Sequence, residues 1–273
     1  MRQQIAALLE RARSTDAAEA NEPDQDLPAE IARREQRLAA IEAAKARLQA
    51  RQREADTARG RYDGDDRKPR HPDGTAKQGK SFKRDFGVPE DSDQTSFTDP
   101  DSRIMKQSNK GYDHSYNAQT AVDEAQQIIV AAELTDCAAD SGQLPVMVEA
   151  VQRTVGARPE RFLADAGYRS EAALAALADT SCEVIVALGR EGREDTRIDA
   201  EKYPHTARMA RALKSEAGKA AYRRRKAIVE ALNGWIKSVL GFRQFSLRGL
   251  QKVRAEWRLV CLAMNLRRMA AWA

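Results

Sequence analysis

The sequence predicts a mixed α/β fold, and three observations carry that expectation. Apolar patterns between residues 114 and 205 follow the order β-β-α-β-α-β and lead into helix. The C-terminal third, from about 206 to 272, keeps a helical repeat and is strongly basic. The N-terminal 58 residues form a separate helical pattern, set apart by a stretch rich in Gly, Pro, Asp and Lys.

Taken in order, residues 1–13 and 28–58 read as helices. Ile31, Leu38, Ile41 and Leu48 recur at threes, fours and sevens, with Ala, Arg, Glu and Gln between them. NEPDQDLP breaks the two, and Pro28 suits a first helical turn. A helical hairpin or short coiled coil over 1–58 is expected, of the kind used for self-packing or dimerisation. Residues 59–97 read as a flexible linker, and His71 within it as solvated. The third part, 98–273, holds the α/β layer. HSYNAQTAV (114–122) and QQIIVAAEL (126–134) read as a hairpin around DEA. Ser141–Val155 follows a helical repeat, Arg161–Ala164 is a short strand, Ser170–Ala178 a helix and 182–188 a buried strand. Residues 189–205 read as loop, and the helices beyond break near Gly241 and Gly249.

The chain has 273 residues, a mean hydropathy of −0.66 and a net charge of +5. Its charge is uneven: residues 202–273 hold 17 Lys and Arg against 3 Asp and Glu. Such a block favours a polyanionic partner, most often nucleic acid. Cys137, Cys182 and Cys261 are scattered with no C-x-x-C, which excludes a zinc ribbon and suits a reducing compartment. The N-terminus lacks the apolar core of a signal peptide, and no apolar run reaches about 18 residues. A cytoplasmic location is expected. There is no P-loop, no G-x-G-x-x-G after a strand, no G-x-S-x-G and no H-E-x-x-H.

Two places carry chemistry. FLADAGYRSE ends an apolar run on Asp165, and Gly167 lets the chain turn there. A carboxylate at the C-terminal end of a strand projects into the crevice where α/β ligands bind, although a turn or cap role explains the same residue. In AYRRRKAIVEALNGWIK, Glu230 and Lys237 share a helical azimuth to about 20° and lie about 10 Å apart along the axis. Tyr222 and Arg225 complete one broad face, with Arg224 and Lys226 beside them. A carboxylate among these cations can hold a metal while its neighbours hold phosphates, or form a surface pair such as Lys226–Glu230. Two-metal phosphodiester chemistry needs a cluster of carboxylates holding Mg²⁺ or Mn²⁺. Glu201 and Glu216 rank below Glu230. Asp140 reads as a helix N-cap, Asp123 as a hairpin-turn residue, and Asp99 and Asp101 as turn residues around Pro100. His114 and His205 read as structural, and Trp235, Phe242 and Phe245 as core rather than base-stacking groups.

FLADAGYRSE, then Y-x2-R-x4-E-x6-K (Tyr222, Arg225, Glu230, Lys237), then GFRQFSLRGLQKVRAEWRLVCLAMNLRRM, together resemble bacterial insertion-sequence transposases of the DDE type. YNAQTAVD…IIVAAELTDCAADSGQL and DPDSRIMK resemble the segments ahead of the second catalytic Asp in that family. LPAEIARREQRLAAIEAAKARL resembles the helical insert of one branch. The resemblance implies an RNase H-like catalytic core that nicks DNA at element ends and joins the 3′-hydroxyl to target DNA, using two Mg²⁺ or Mn²⁺ ions. It assigns Asp165 and Glu230 to catalysis and metal binding. It assigns Tyr222, Arg224, Arg225, Lys226 and Lys237 to the DNA end. The Arg225–Glu230 spacing is one residue longer than the common signature.

The family's first Asp, in a segment resembling hydrophobic-Asp-Gly-Thr ahead of the helical insert, has no counterpart here; Asp73–Thr75 lies in the Pro- and Lys-rich stretch instead. The expectation is therefore the C-terminal portion of a transposase, lacking its first strand and first catalytic Asp, with little activity alone. The alternative is a non-catalytic DNA-binding remnant that pairs with an N-terminal fragment or a full-length transposase. Association with DNA in the nucleoid follows from either.

Overall fold

The computed structural model describes residues 2–15, 27–70, 74–75, 79–107, 110–189 and 198–272, and among these not the side chains of 2, 12–15, 27, 226 and 227. His71, Asp73 and the Lys226 side chain thus lie outside the described residues. The chain divides into two compact units, Met1–Pro100 and Asp101–Ala273.

In the first unit, helix α1 (Arg2–Thr15) packs on the longer α2 (Leu27–Ala58). Ala, Arg, Glu and Gln, all good helix formers, fill the positions between the apolar ones of α2. The segment after α2 has almost no regular structure, but it is not simply a spacer. Asp56, at the end of α2, accepts from the Gly87 amide and the Gln52 side chain, both at 2.9 Å. Arg61 meets Asp56 at 3.3 Å and clamps Asp65 through two bonds at 2.8 and 2.9 Å. Its guanidinium lies 4.4 Å from the centre of the Phe82 ring. Both Asp56 and Arg61 are buried, so the charges are matched where water is excluded. Composition alone misses this, because the partners lie 4 to 31 residues apart and their burial leaves no signal in composition.

In the second unit, one continuous mixed layer was expected, and three two-stranded sheets are found. β1 (Arg103–Lys106) pairs antiparallel with β2 (Tyr112–Ser115). β3 (Asn117–Val122) pairs antiparallel with β4 (Ile129–Thr135), with an irregularity at Ala121/Val122. β5 (Arg161–Ala164) pairs parallel with β6 (Glu183–Val186). The run 114–122 is therefore two strands, because the chain changes partner at Tyr116. The β1–β2 pair gave no apolar alternation to read, its apolar residues Ile104 and Met105 being adjacent in β1.

The helices are α3 (Gln143–Val155), α4 (Glu171–Ala176), α5 (Pro204–Lys214), α6 (Glu216–Ser238) and α7 (Leu250–Ala270). α3 ends at Gly156, whose φ of +80° closes the helix in the left-handed region. A break between α5 and α6 falls at Ser215, which caps α6 by accepting from the Gly218 amide at 3.0 Å. Gly218 sits so close to the Ala212 carbonyl that a side chain there would clash with the preceding turn. The break near Gly241 and Gly249 is present as expected.

The core has three neighbouring parts. Ile129 and Leu134 of β4 pack against Leu232 and Ile236 of α6 and Val253, Trp257, Cys261 and Met264 of α7. Phe242 and Phe245 meet edge to face with ring centres 5.4 Å apart and pack against this group, so these aromatics are partly buried packing residues. Leu144 and Val148 of α3 pack with Ala164, Val186 and Met209, and Met147, Ala150 and Val151 of α3 pack on Ala121 and Ala131. Among the described residues no helix is long and apolar enough to cross a membrane. Cys137, Cys182 and Cys261 are all free thiols.

Candidate functional site

β5 ends at Ala164, and Asp165 begins a single 3-10 turn, Ala166–Tyr168. Asp165 is exposed, and its Oδ1 accepts from the Gly167 amide at 2.9 Å. The residue is thus both the cap of this turn and a carboxylate at the strand end, the two roles the sequence left open.

The second carboxylate at this point is Asp140. The sequence reading made it a helix N-cap, and the structure corrects that. The cap position of its 3-10 turn is Ala139, that of α3 is Gly142, and neither helix start has a side-chain cap. Asp140 instead turns across to β3. Its Oδ1 accepts from Asn117 Nδ2 at 2.6 Å and from Gln119 Nε2 at 2.8 Å. Both carboxylates border Gly167: a Cβ placed there would lie 2.9 Å from Asp140 Oδ2 and 3.1 Å from Asp165 Oδ1. Any side chain at Gly167 would displace one of them.

Tyr168 closes the group. Its hydroxyl donates to Gln119 Oε1, and Gln119 in turn donates to Asn117 Oδ1 at 2.8 Å and to Asp140. Burial first, and then the charges of Asp140 and Asp165, push the Tyr168 phenol well above its ordinary range. It stays protonated and donating at neutral pH. A signal for this polar group was present in the sequence: Asn117 and Gln119 alternate on one face of a strand, where buried amides need partners.

These residues stand at one end of a cavity of about 940 Å³. β3 and β5 form its two long walls, since it is lined by residues 117–122 and 161–165 in unbroken runs. Met147 and Val151 of α3 and Arg225, Ile228, Val229 and Asn233 of α6 also line it.

The structure places the remaining expected residues on or around α6. Arg225 reaches the cavity, and its guanidinium lies 5.2 Å from the centre of the Tyr222 ring. Arg225 and Asp165 are therefore brought to one cavity. Glu230 is exposed, does not line the cavity, and meets Arg225 Nη2 at 3.9 Å. Arg224 is exposed and pairs with Glu124 at 2.5 Å. Lys237 is exposed in the last turn of α6. Among the described residues, no group of three or more His, Cys, Asp or Glu side chains gathers as a metal centre.

Other sequence candidates have local roles. Asp123 accepts from the Gln126 amide at 2.7 Å within its turn. Asp101 accepts from the Leu250 amide at 2.9 Å at the start of α7. His114 Nδ1 lies 3.3 Å from Ser102 Oγ, and the His205 amide donates to Glu171 at 2.8 Å.

Compared with known proteins, the chain matches a family model described as transposase DDE domain over residues 75–266. No curated protein and no solved structure matches it.

Proposed function

Because the chain belongs to the transposase DDE domain family, we propose that it acts on the DNA ends of an insertion sequence, the reaction of the complete site being cleavage and strand transfer. The observation that carries this reading is the meeting of Asp165 and Asp140 at Gly167, at the end of a strand, beside a cavity that Arg225 also reaches. An acidic point at a strand end next to cationic helix suits a phosphodiester substrate: phosphates go to the cations, and the reacting group to the carboxylates.

A pair of Mg²⁺ or Mn²⁺ ions would supply nucleophile activation and leaving-group stabilisation. The described residues do not fit such a pair. Glu230 lies beside Arg225 and does not line the cavity that Asp165 and Asp140 border, so among the described residues no third carboxylate joins those two. The chain's own residues are therefore assigned the DNA-holding part of the work. Tyr222, Arg224, Arg225 and Lys237 of α6 hold the DNA end, with Lys226 on the same helix. Asp165 and Glu230 keep the catalytic assignment for a complete site. Helices α1 and α2 serve self-association or pairing with a second transposase chain. The core is read as RNase H-like.

The test uses the purified chain with labelled insertion-sequence-end DNA. Binding that weakens steeply with salt is expected, without nicking in Mg²⁺ or Mn²⁺, and with Asp165→Ala leaving the affinity unchanged. Absence of DNA binding at physiological salt rejects the reading. Metal-dependent nicking that both Asp165→Ala and Glu230→Ala abolish would instead show a complete catalytic site in this chain alone.

A further inference from the structure

We propose that Arg153, Arg254 and Arg258 form a second DNA contact, which holds a backbone phosphate at the outer edge of β4, away from α6. The three guanidiniums converge on a single carboxylate from two helices. Glu133 Oε1 accepts from Arg153 Nη2 of α3 at 3.1 Å and from Arg258 Nη2 of α7 at 3.3 Å. Glu133 Oε2 lies 3.8 Å from Nε of Arg254, one turn earlier on α7. Among the described residues, Glu133 is the acidic side chain that pairs with each of the three, so the group carries two positive charges in excess. Like charges gathered this closely repel one another, and an added anion relieves that repulsion.

The excess charge faces water. The Glu133 side chain is 18% accessible, whereas those of Arg153 and Arg258 are 63% and 56% accessible. Arg254 is tied to the strand edge: its Nη2 donates to the Leu134 carbonyl at 3.1 Å, and its Nε is buried without a hydrogen-bond partner. Its charge is therefore held in place and only partly answered. Arg258 spends Nε on the Ala132 carbonyl at 3.5 Å and Nη2 on Glu133, while Arg153 spends Nη2 alone. Both keep further N–H groups for a ligand. Because the two Nη2 atoms touch the same oxygen, the two guanidiniums stand close enough to share one phosphate, an oxyanion that the planar fork matches.

This group is separate from the site described above. β3 lies between β4 and the cavity, and none of Glu133, Arg153, Arg254 and Arg258 lines that cavity. An open surface cluster suits a polymer that brings its phosphates in a row better than a small anion that needs enclosure. The choice of DNA as that polymer rests on the transposase reading. A guanidinium–phosphate contact carries no base information, so the contact is independent of sequence.

The test uses the full chain with a duplex of arbitrary sequence, about 20 base pairs long, and separately with inorganic phosphate at matched ionic strength. In the double variant Arg153→Ala/Arg258→Ala, the slope of log affinity against log salt is expected to shrink by about 0.9, one phosphate's worth, at an unchanged urea midpoint. Glu133→Gln removes the competing carboxylate charge and should tighten duplex binding several-fold at low salt. Arginines that only staple α3 and α7 to β4 predict no such gain. An unchanged slope in the double variant, or a folded Glu133→Gln that binds no tighter, overturns the proposal; where Glu133→Gln does not fold, the double variant decides alone. Phosphate that shifts the Arg153 and Arg258 Nε–H NMR signals, with the duplex slope unchanged in the double variant, marks a site for a free anion and also overturns the DNA assignment. Arg224→Ala keeps this outcome apart from the α6 reading: a failure there leaves the slope change at Arg153 and Arg258 untouched.

Discussion

Replacing Asp140 by Ala should destabilise the Asp101–Ala273 unit, and the size of the loss can be worked from its contacts. Asp140 Oδ1 takes two side-chain amides, at 2.6 and 2.8 Å. A hydrogen bond to an ionised acceptor contributes about 1.5–3 kcal/mol, and an orphaned buried donor costs a comparable amount. Both donors keep a second acceptor, however: Asn117 Nδ2 reaches the Cys137 carbonyl at 3.2 Å, and Gln119 Nε2 reaches Asn117 Oδ1 at 2.8 Å. The expected loss is therefore at the low end, about 2–3 kcal/mol in total, and about 1 kcal/mol for Asp140→Asn, which keeps one acceptor oxygen. Urea denaturation at pH 7 measures it. A second readout is specific to the site. The Tyr168 phenol is raised in the fold by burial and then by the nearby carboxylates, whereas the unfolded chain ionises it near pH 10. Above that pH the native state binds more protons than the unfolded one, so stability falls as pH rises. Asp140→Ala removes one of the charges and should make that fall shallower. A stability change below about 0.5 kcal/mol, together with an unaltered alkaline limb, would refute the assigned network.

Further outcomes are expected elsewhere. Asn265→Leu leaves the Ile129 N–H and C=O without their α7 partner and should cost about 2–3 kcal/mol in urea denaturation. Arg224→Ala loses only an exposed pair with Glu124, so stability should move by less than about 0.5 kcal/mol. The slope of log affinity for DNA against log salt should nevertheless shrink by about 0.9, and an unchanged slope removes Arg224 from the DNA contact. A thiol reagent should label the exposed Cys137 in the native chain, while Cys182 and Cys261, whose thiols burial pushes up (Cys261 to about 12), react only on unfolding. The Arg61 hydrogen bonds, opposed by burial, hold the Asp65 carboxyl below the usual range of 3.8. Its stabilising contribution is present above that pH and lost as pH falls through the folded value. Asp65→Asn should flatten the acid limb measured on the first unit.

What the sequence made legible follows the physics of each element. β5 and the α3 C-terminus were readable because apolar period and a terminal Gly coincide there. The apolar run before Asp165 placed it at a strand end, but its role as cap of the following turn was an equally open reading until the structure showed it. The β1–β2 pair was not, since its apolar residues do not alternate and its pairing is cross-strand. Asp140 was misread because an Asp ahead of a helix has a common local role, and only the tertiary approach of Asn117 and Gln119 shows a different one. The ion cluster of Asp56, Arg61 and Asp65 was hidden for the same reason: a charge-rich stretch looks solvated until its partners are known to be buried. On α6 the azimuth of Glu230 and Lys237 could be computed, but not which face the rest of the fold would cover. The covered face proved to be Ala221, Ile228, Leu232 and Ile236, while Arg225, Val229 and Asn233, successive positions four apart, line the cavity.

The space between β3 and β5 holds its shape without a shared ladder because one helix spans it. α3 turns Met147, Ala150 and Val151 to Ala121 and Ala131, and Leu144 and Val148 to Ala164 and Val186. Positions four apart share a face, and the two sets are offset around the helix, so each sheet is gripped by its own stripe. Met147, Val148 and Leu144 are all essentially inaccessible, which fixes the helix against both sheets at once. At the end of the cavity where α3 begins, the link is polar: Tyr168 to Gln119, and Gln119 to Asp140 just ahead of α3. The residues that hold the two sheets in place are thus the ones that set Asp140 beside Asp165. A loosened α3, as in Met147→Ala or Val148→Ala, should disturb the carboxylate pair, whereas loss of an α6 surface charge should leave it in place.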